Sequence, residues 1–292
     1  MSGCGDVVLL LRVGTMTDLY FVQLSTLFIA GIVAGFSAGL LGVGGAFIMV
    51  PVQFWALKSV GVDPTVAIRV AFGTSLLVLL PTSLTSAITH HRKGAVLWKT
   101  GAILGLTGAS TAFFGAYVAS QLSERILTSV FGCVGILLAL RMLTSGTPVS
   151  GTGHMDGIGP LILWGIVFGF VSGIIGVGGG GLMIPVMINF LGFSVHEAVG
   201  TSAALMIFTA LGGSVSYMIN GLGVQGLPAY STGYLNWLQF ALLAGSSIPM
   251  AVVGAKTAHV IPSHRLRLIF GLVLLYIGMK MIGVFSWLRL PL

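Results

Sequence analysis

The sequence predicts an all-α polytopic membrane protein, and its composition and patterning support this fold class. Of 292 residues, 56% are hydrophobic and only 7% are charged, whereas a soluble domain carries about 25% charged residues. Uncharged runs cover residues 19–57, 157–195 and 198–255, and a membrane-spanning helix needs only about 20 apolar residues. The runs do not alternate like the roughly 10-residue strands of a membrane barrel, so the spans are expected to be helical.

An internal repeat organises almost the whole chain. Residues 35–52 (GFSAGLLGVGGAFIMVPV) align with residues 169–186 (GFVSGIIGVGGGGLMIPV) at ten identical positions of 18. A GTS motif follows in each half, at residues 73–75 and 200–202. Because a repeat sets the architecture, we predict four regions: an N-terminal tail at 1–18, a first repeat at 19–143, a linker at 144–158 and a second repeat at 159–288.

The first apolar segment of each half must be broken. A helix over residues 19–57 would be about 58 Å long, roughly twice the thickness of the hydrocarbon core. We expect the interruption at residues 42–45, because clustered glycine is a poor helix former. The predicted segments are 19–57, 66–89, 96–120 and 125–143, then 158–191, 198–219, 237–258 and 266–288.

Charge predicts that the two halves have opposite orientations. The basic loop of the first half is HHRKG at residues 90–94, whereas that of the second half lies one connection later, at residues 256–267. If basic loops face the cytoplasm, the halves are inverted-topology repeats, which is typical of transporters. Inversion needs an odd number of crossings per half, so among 8–10 transmembrane segments we favour 5+5. A parallel 4+4 arrangement is the alternative.

Several function classes are disfavoured. The net charge of +7 comes from basic residues in short loops, and no basic arm with interleaved aromatic residues indicates nucleic acid. Cys4 and Cys133 have no metal-ligand spacing, so we expect no metal and no cofactor. No catalytic cluster is recognisable, and we expect no enzyme activity. Asp63, Glu124 and Glu197 fall in loops or at helix edges, whereas a cation carrier would need buried carboxylates.

The glycine clusters are the strongest candidates for a substrate site. An opened helix frees backbone N–H groups, and these groups favour an anion together with the positive end of the following helix dipole. Broken helices in corresponding positions of inverted halves point to a transporter binding site. Close helix packing is the alternative explanation of such glycines. The candidate residues are Gly42, Gly44 and Gly45, and Gly176, Gly178, Gly179 and Gly180.

The paired GTS motifs are a second candidate. Their hydroxyls can donate to an oxyanion, or they can bond back to a helical carbonyl. These residues are Gly73, Thr74, Ser75, Gly200, Thr201 and Ser202. Secondary candidates are His90, which is either an anion or proton contact or an interfacial residue, and Pro51 and Pro185, which are expected to fix helix bends.

These motifs resemble the sulfite exporter TauE/SafE family, also called the toluenesulfonate uptake permease family. The resemblance covers about residues 20–288 and rests on the paired glycine motif, the GTS in each half and the H-x-x-x-G that begins at His90. It implies a multi-pass permease of the inner (plasma) membrane that moves small sulfur-containing or organic anions, such as sulfite, sulfonates or sulfoacetate. The family motif falls on the candidate residues named above. Tyr217 departs from it, where a second histidine-like residue is expected.

Together these observations predict a secondary transporter that binds a small anion between the two glycine breaks and works by alternating access. A passive anion channel is the alternative, because two opposed half helices can also frame a pore. The expected partners are the anionic substrate and the lipid bilayer. The substrate, the direction of transport, coupling to protons or another ion and the oligomeric state stay open.

Overall fold

The computed structural model describes the backbone of residues 3–144, 157–258 and 263–284, and the side chains of residues 21–144, 157–258 and 268–284. Within these ranges the chain is almost entirely helical. The helices are α1 (Gly3–Leu41), α2 (Ala46–Ser59), α3 (Pro64–His91), α4 (Trp98–Gln121), α5 (Glu124–Thr144), α6 (Ile158–Ile175), α7 (Gly180–Asn189), α8 (Val195–Asn220), α9 (Trp237–Thr257) and α10 (Ser263–Ile282). A short antiparallel ribbon, β1 (Ser231–Thr232) and β2 (Leu235–Asn236), precedes α9.

Seven of the described helices are long and apolar enough to cross a membrane. They are α3, α4, α5, α6, α8, α9 and the Phe21–Leu41 part of α1. Shorter apolar helices are α2, α7 and the Leu268–Ile282 part of α10. The predicted class, an all-α polytopic membrane protein, is therefore confirmed, whereas the 5+5 count stays a prediction.

Helix starts follow local chemistry. The Asp63 side chain accepts hydrogen bonds from the backbone N–H groups of Thr65 and Val66 at the start of α3. Ser194 and Glu197 form a capping box at the start of α8, in which each side chain accepts from the other residue's backbone N–H. Such caps satisfy N–H groups that the first helical turn leaves without partners. Two acidic residues of the chain are thus used at helix edges.

The first predicted segment, residues 19–57, folds into two antiparallel helices. In the middle of α1, Gln23 Nε2 donates a 3.1 Å hydrogen bond to the carbonyl oxygen of Ala56, near the end of α2. Closer to the break, a Cβ atom built on Gly45 would lie 2.5 Å from the carbonyl oxygen of Ala34. The chain therefore enters along α1, turns at the glycine cluster and returns along α2.

Each half packs its first helix on the fourth helix of the other half. Helix α1 packs on α9, and α6 packs on α4. Gly35 of α1 faces the backbone of Ser247, and the equivalent Gly169 of α6 faces the backbone of Gly108. Small residues allow such close approach where membrane helices cross. The two interfaces use corresponding positions of the repeat.

Helices α3 and α8 form the centre of the bundle. In each of them 72% of the most apolar stretch is buried, against 28% in α6. The two central helices pack against each other, and α5 packs against α10 at the side. The most buried contact between the two halves is therefore the one between α3 and α8.

Two predicted regions, the linker and the N-terminal tail, are only partly covered by the residues that the structure describes. The linker at 144–158 lies mostly outside them, because the backbone is described up to residue 144 and again from residue 157. The predicted tail at 1–18 overlaps α1, whose backbone begins at Gly3. The boundaries of the two repeats stay predictions.

Candidate functional site

Two short non-helical segments interrupt the chain at the predicted glycine clusters. The first glycine break, residues 42–45, separates α1 from α2, and the second glycine break, residues 176–179, separates α6 from α7. Gly44 has φ 80° and Gly178 has φ 78°, a left-handed backbone that L-residues with a Cβ atom adopt at a cost of about 1–2 kcal/mol. Equivalent glycines thus make equivalent turns, and helices α2 and α7 begin immediately after them.

The two glycine breaks lie against each other. A Cβ atom built on Gly44 would lie 3.3 Å from the carbonyl oxygen of Val177. One built on Gly180, the first residue of α7, would lie 2.8 Å from the carbonyl oxygen of Gly42. All residues of both breaks are buried. The structure therefore brings Gly42 and Gly44 against Val177 and Gly180, whereas Gly45, Gly176 and Gly179 face Ala34, Phe72 and Ser172.

The breaks leave backbone donors without protein partners. Gly42 and Gly176 still donate to the helical carbonyls of Ala38 and Ser172, at 3.0 and 2.9 Å. The next three amides of each break find no acceptor in the described part of the chain, although a buried N–H is normally paired. These six amides belong to Val43, Gly44, Gly45, Val177, Gly178 and Gly179.

Helix dipoles act in the same direction as these donors. The N-terminus of an α-helix carries about half a positive elementary charge, and α2 and α7 both begin at the contact between the breaks. The described side chains that come close to the breaks are all uncharged, namely Ala34, Phe72, Leu79, Ser172, Val199, Ser202 and Met206. The site is therefore electropositive without a charged side chain, which suits an anion.

Hydroxyls of α8 satisfy carbonyl oxygens that the breaks release. Ser202 Oγ donates to the Gly42 carbonyl at 3.1 Å and to the Val199 carbonyl at 2.7 Å. Thr209 Oγ1 donates to the Gly178 carbonyl at 2.8 Å. Ser202 was predicted as a site residue, whereas Thr209 was missed. Helix α8 thus stabilises both breaks.

Two apolar side chains close the space between the breaks. Met206 Sδ would lie 2.7 Å from a Cβ atom on Gly44, and Leu79 Cδ1 would lie 2.8 Å from one on Gly178. We call Leu79 and Met206 the apolar pair. Sequence reasoning missed them, although a signal existed, because each lies four residues after the serine of its GTS motif.

The glycine and threonine of each GTS motif hold the start of a helix in the other half. Thr74 Oγ1 accepts a 2.9 Å hydrogen bond from the N–H of Asn236, and Thr201 Oγ1 accepts one of 3.1 Å from the N–H of Leu97. Gly73 faces the Tyr234 carbonyl oxygen just before α9, and Gly200 faces the Ala95 carbonyl oxygen just before α4. These four motif residues make matched contacts between the halves, outside the direct contact between the breaks.

Ser75 is engaged differently from Ser202. It accepts a 2.6 Å hydrogen bond from Nε2 of Gln53, a fully buried side chain of α2. Gln53 Nε2 also donates to the Met49 carbonyl at 3.2 Å. The two GTS serines therefore differ: Ser202 contacts a glycine break, and Ser75 contacts the helix that follows that break. Nothing in the repeat indicated Gln53, since the second half has no matching glutamine.

His90 is fully buried, in the last turn of α3 beside the exposed residues His91 and Arg92. Its two interpretations, as an anion or proton contact and as an interfacial residue, stay predictions. Its Nε2 lies 2.9 Å from the carbonyl oxygen of Gly39, and because a carbonyl only accepts, the nitrogen donates. Tyr217, its counterpart in the second half, donates from its hydroxyl to the Gly173 carbonyl at 3.1 Å. Tyr217 therefore makes the same kind of hydrogen bond as His90, although it departs from the family pattern. In each half the acceptor is the carbonyl oxygen of the glycine three residues before the break.

The two candidate prolines lie inside the short helices. Pro51 is the sixth residue of α2, and Pro185 is the sixth residue of α7. A proline inside a helix removes one backbone hydrogen bond and bends the axis. Their matched positions give the helices after both breaks the same local interruption.

The fold and the breaks define a helical multi-pass membrane protein with a buried broken-helix centre, and comparisons with known proteins agree with this class. Residues 27–281 match the sulfite exporter TauE/SafE family. The chain belongs to the sulfite exporter TauE/SafE family. The predicted family and the multi-pass membrane location are therefore confirmed.

Relatives from distant organisms carry the name of transporters. A probable membrane transporter protein of Haemophilus influenzae is 29% identical over 87% of this chain and 96% of its own length. A probable membrane transporter protein of Methanocaldococcus jannaschii is 27% identical over 90% of this chain and 97% of its own length. The probable membrane transporter protein YunE of Bacillus subtilis is 28% identical over 89% of this chain and 98% of its own length. No solved structure matches this chain.

Proposed function

We propose that this protein is a secondary transporter that binds a small anion between its two glycine breaks. The observation that carries the proposal is a set of six backbone amides in buried residues, for which the described part of the chain offers no acceptor. Two breaks in mutual contact contribute three amides each. Backbone donors at helix N-termini bind oxyanions in many proteins. Here two such N-termini converge, and glycine lets a ligand approach the backbone closely.

Sulfite or an organic sulfonate is the substrate class that we favour. The family description names sulfite export, and a sulfur oxyanion offers several oxygens to a ring of amide donors. The apolar pair would face the remaining surface of the ligand, and Met206 adds a polarizable sulfur. A cation is disfavoured, because no acidic side chain contacts the breaks within the described residues.

Inverted repeats and alternating access form the mechanism that we propose. Support comes from paired contacts: α1 on α9 matches α6 on α4, Thr74 matches Thr201, and His90 matches Tyr217. A 5+5 arrangement, with repeats at 19–143 and 159–288, would place the breaks near the middle of the bilayer. The two packed helix pairs, α1 with α9 and α6 with α4, would then rock about the fixed central site.

A carrier is favoured over a channel because the site is closed. The breaks are buried, and the apolar pair fills the space beside them. A carrier has an occluded state of this kind, whereas an open channel needs a continuous path.

The test is flux in proteoliposomes. The purified full chain should move labelled sulfite or a small sulfonate with a rate that saturates as substrate concentration rises. Empty liposomes are the control. Rates that remain linear, accompanied by single-channel currents, would replace the carrier with a channel. If no sulfur oxyanion or carboxylate is moved under any imposed ion gradient, the proposal is wrong.

A further inference from the structure

A basic groove lies at the end of the bundle where α2 ends and α5 begins. It encloses about 300 Å³ between the last turn of α2, the first turn of α5 and the last turn of α10. Each helix end contributes one cation, namely Lys58, Arg125 and Lys280. Three cations from separate parts of the chain thus converge on one groove, well away in sequence from the glycine breaks.

The cations of the basic groove are not neutralised by ion pairs. Glu124 is the single acidic residue that lines it, and none of these four side chains forms an ion pair with another described residue. Aromatic rings hold two of the cations instead. Lys58 Nζ lies 5.0 Å from the Phe54 ring centroid, and Lys280 Nζ lies 4.7 Å from that of Trp55. Cation–π contacts orient an ammonium group and leave its charge available.

The surface beside the basic groove is apolar and exposed. Ile126 follows Arg125 on α5 and is 46% exposed, and Tyr276 lies one turn before Lys280 on α10 and is 41% exposed. Further along the same two helices, Leu137 and Leu272 are also exposed. In a membrane protein such residues face acyl chains, whereas Lys and Arg at helix ends reach the headgroup layer.

We propose that the basic groove binds the headgroup of an anionic phospholipid. The phosphate is held by Lys58, Arg125 and Lys280, while Ser129 at the groove wall can donate a hydroxyl hydrogen bond. The acyl chains lie on the exposed faces of α5 and α10. Basic pockets between membrane helices bind anionic headgroups. Because α3 runs from the groove end of the bundle to the basic loop at residues 90–94, the lipid lies in the leaflet opposite to that loop. Because α2 runs from the first glycine break to the groove, the lipid also anchors the far end of a helix that frames the central site.

Lipid binding to the full-length chain in detergent tests this proposal. Native mass spectrometry would compare retention of phosphatidylglycerol and phosphatidylcholine by the parent protein and by the triple variant Lys58→Gln, Arg125→Gln, Lys280→Gln. The matched control is Arg92→Gln, Lys93→Gln, Lys256→Gln, which removes three exposed charges outside the groove. Glycerol phosphate, a soluble headgroup, would be added as a competitor in a separate arm.

The parent should retain phosphatidylglycerol in preference to phosphatidylcholine. One basic residue contributes about a fivefold gain in affinity for anionic lipid, so the triple variant should bind roughly a hundredfold more weakly. The matched control should bind like the parent. If the triple variant does not fold, judged by size-exclusion chromatography, Lys280→Gln alone should still weaken binding about fivefold.

Three results would overturn the proposal. The parent could bind both lipids equally, in which case the groove does not select an anionic headgroup. The matched control could lose as much binding as the triple variant, which would indicate attraction to the overall charge. Glycerol phosphate could displace the lipid at equal concentration, which would make a soluble anion the occupant.

Discussion

The hydroxyl of Thr209 donates a 2.8 Å hydrogen bond to the carbonyl oxygen of Gly178, inside the second glycine break. The equivalent threonine of the first half, Thr82, instead lies 3.0 Å from Ser247 Oγ and leaves the first break untouched. The two halves are therefore not interchangeable at the site. Helix α8 supplies hydroxyls to both breaks, through Ser202 and Thr209, whereas α3 supplies none to either.

Thr209→Val should destabilise the second break. The substitution keeps the side-chain shape but leaves the buried Gly178 carbonyl without its donor, which costs about 1–3 kcal/mol. We expect a lower melting temperature and slower sulfite or sulfonate flux in proteoliposomes. Thr85→Val is the control, because the Thr85 hydroxyl bonds only to the Pro81 carbonyl of its own helix. Equal melting temperatures for the parent and Thr209→Val would show that the hydrogen bond contributes nothing.

Gly44→Ala and Gly178→Ala should each slow flux. A Cβ atom at either position meets Met206 or Leu79 at less than 3.0 Å and also strains a left-handed backbone by about 1–2 kcal/mol. Gly61→Ala separates these effects, because Gly61 has φ 85° and nothing within 4 Å of an added Cβ. That control should lose stability and keep its flux. Normal flux in well-folded Gly44→Ala would show that the first break is not part of the substrate site.

The positions of the breaks could be predicted from sequence because glycine clusters and helix length are local signals. Residues 42–45 had to interrupt a segment too long for the bilayer, and the alignment carried that conclusion to residues 176–179. Helix starts were also close to prediction: α3 begins at Pro64 where residue 66 was predicted, and α8 begins at Val195 where residue 198 was predicted. These features depend on neighbouring residues in the chain and on the thickness of a membrane.

Contacts between distant segments could not be predicted. Helices that are apolar on all sides give no pattern that distinguishes a lipid-facing side from a buried one, so the antiparallel packing of α1 on α2 could not be predicted. Hydroxyls bond to whichever group the fold brings near them, as Thr74 does with the N–H of Asn236. The short ribbon at β1 and β2 was also missed, because two-residue strands carry no periodicity.

Met206→Ala should widen the range of substrates. The side chain is 1% exposed and lies against both breaks, so its truncation creates space beside the amide donors at a cost of about 2–5 kcal/mol in stability. We expect the ratio of flux of a larger aromatic sulfonate to that of sulfite to rise. The measurement is competition between the two labelled anions in one proteoliposome sample.

Two matched variants test this ratio. Met206→Leu keeps the volume nearly constant, so it should leave the flux ratio unchanged. Leu104→Ala truncates an equally buried side chain of α4 and should lower stability without changing the ratio. If Leu104→Ala changes the ratio as much as Met206→Ala does, general loosening of the bundle accounts for the effect and the apolar pair does not set specificity.

Tyr217→Phe and His90→Gln test whether the matched hydrogen bonds to Gly173 and Gly39 hold the helices that enter the breaks. Removing the Tyr217 hydroxyl leaves a buried carbonyl with one donor fewer, which should cost about 1–3 kcal/mol. In His90→Gln the amide NH₂ can still donate, so this variant should retain more stability and more flux than His90→Ala. Thermal unfolding and sulfite flux would be measured on the same preparations. Should His90→Gln and His90→Ala behave alike, the donor at residue 90 would be irrelevant to the break. A role in filling space would then explain why a histidine and a tyrosine, rather than two smaller residues, occupy these paired positions.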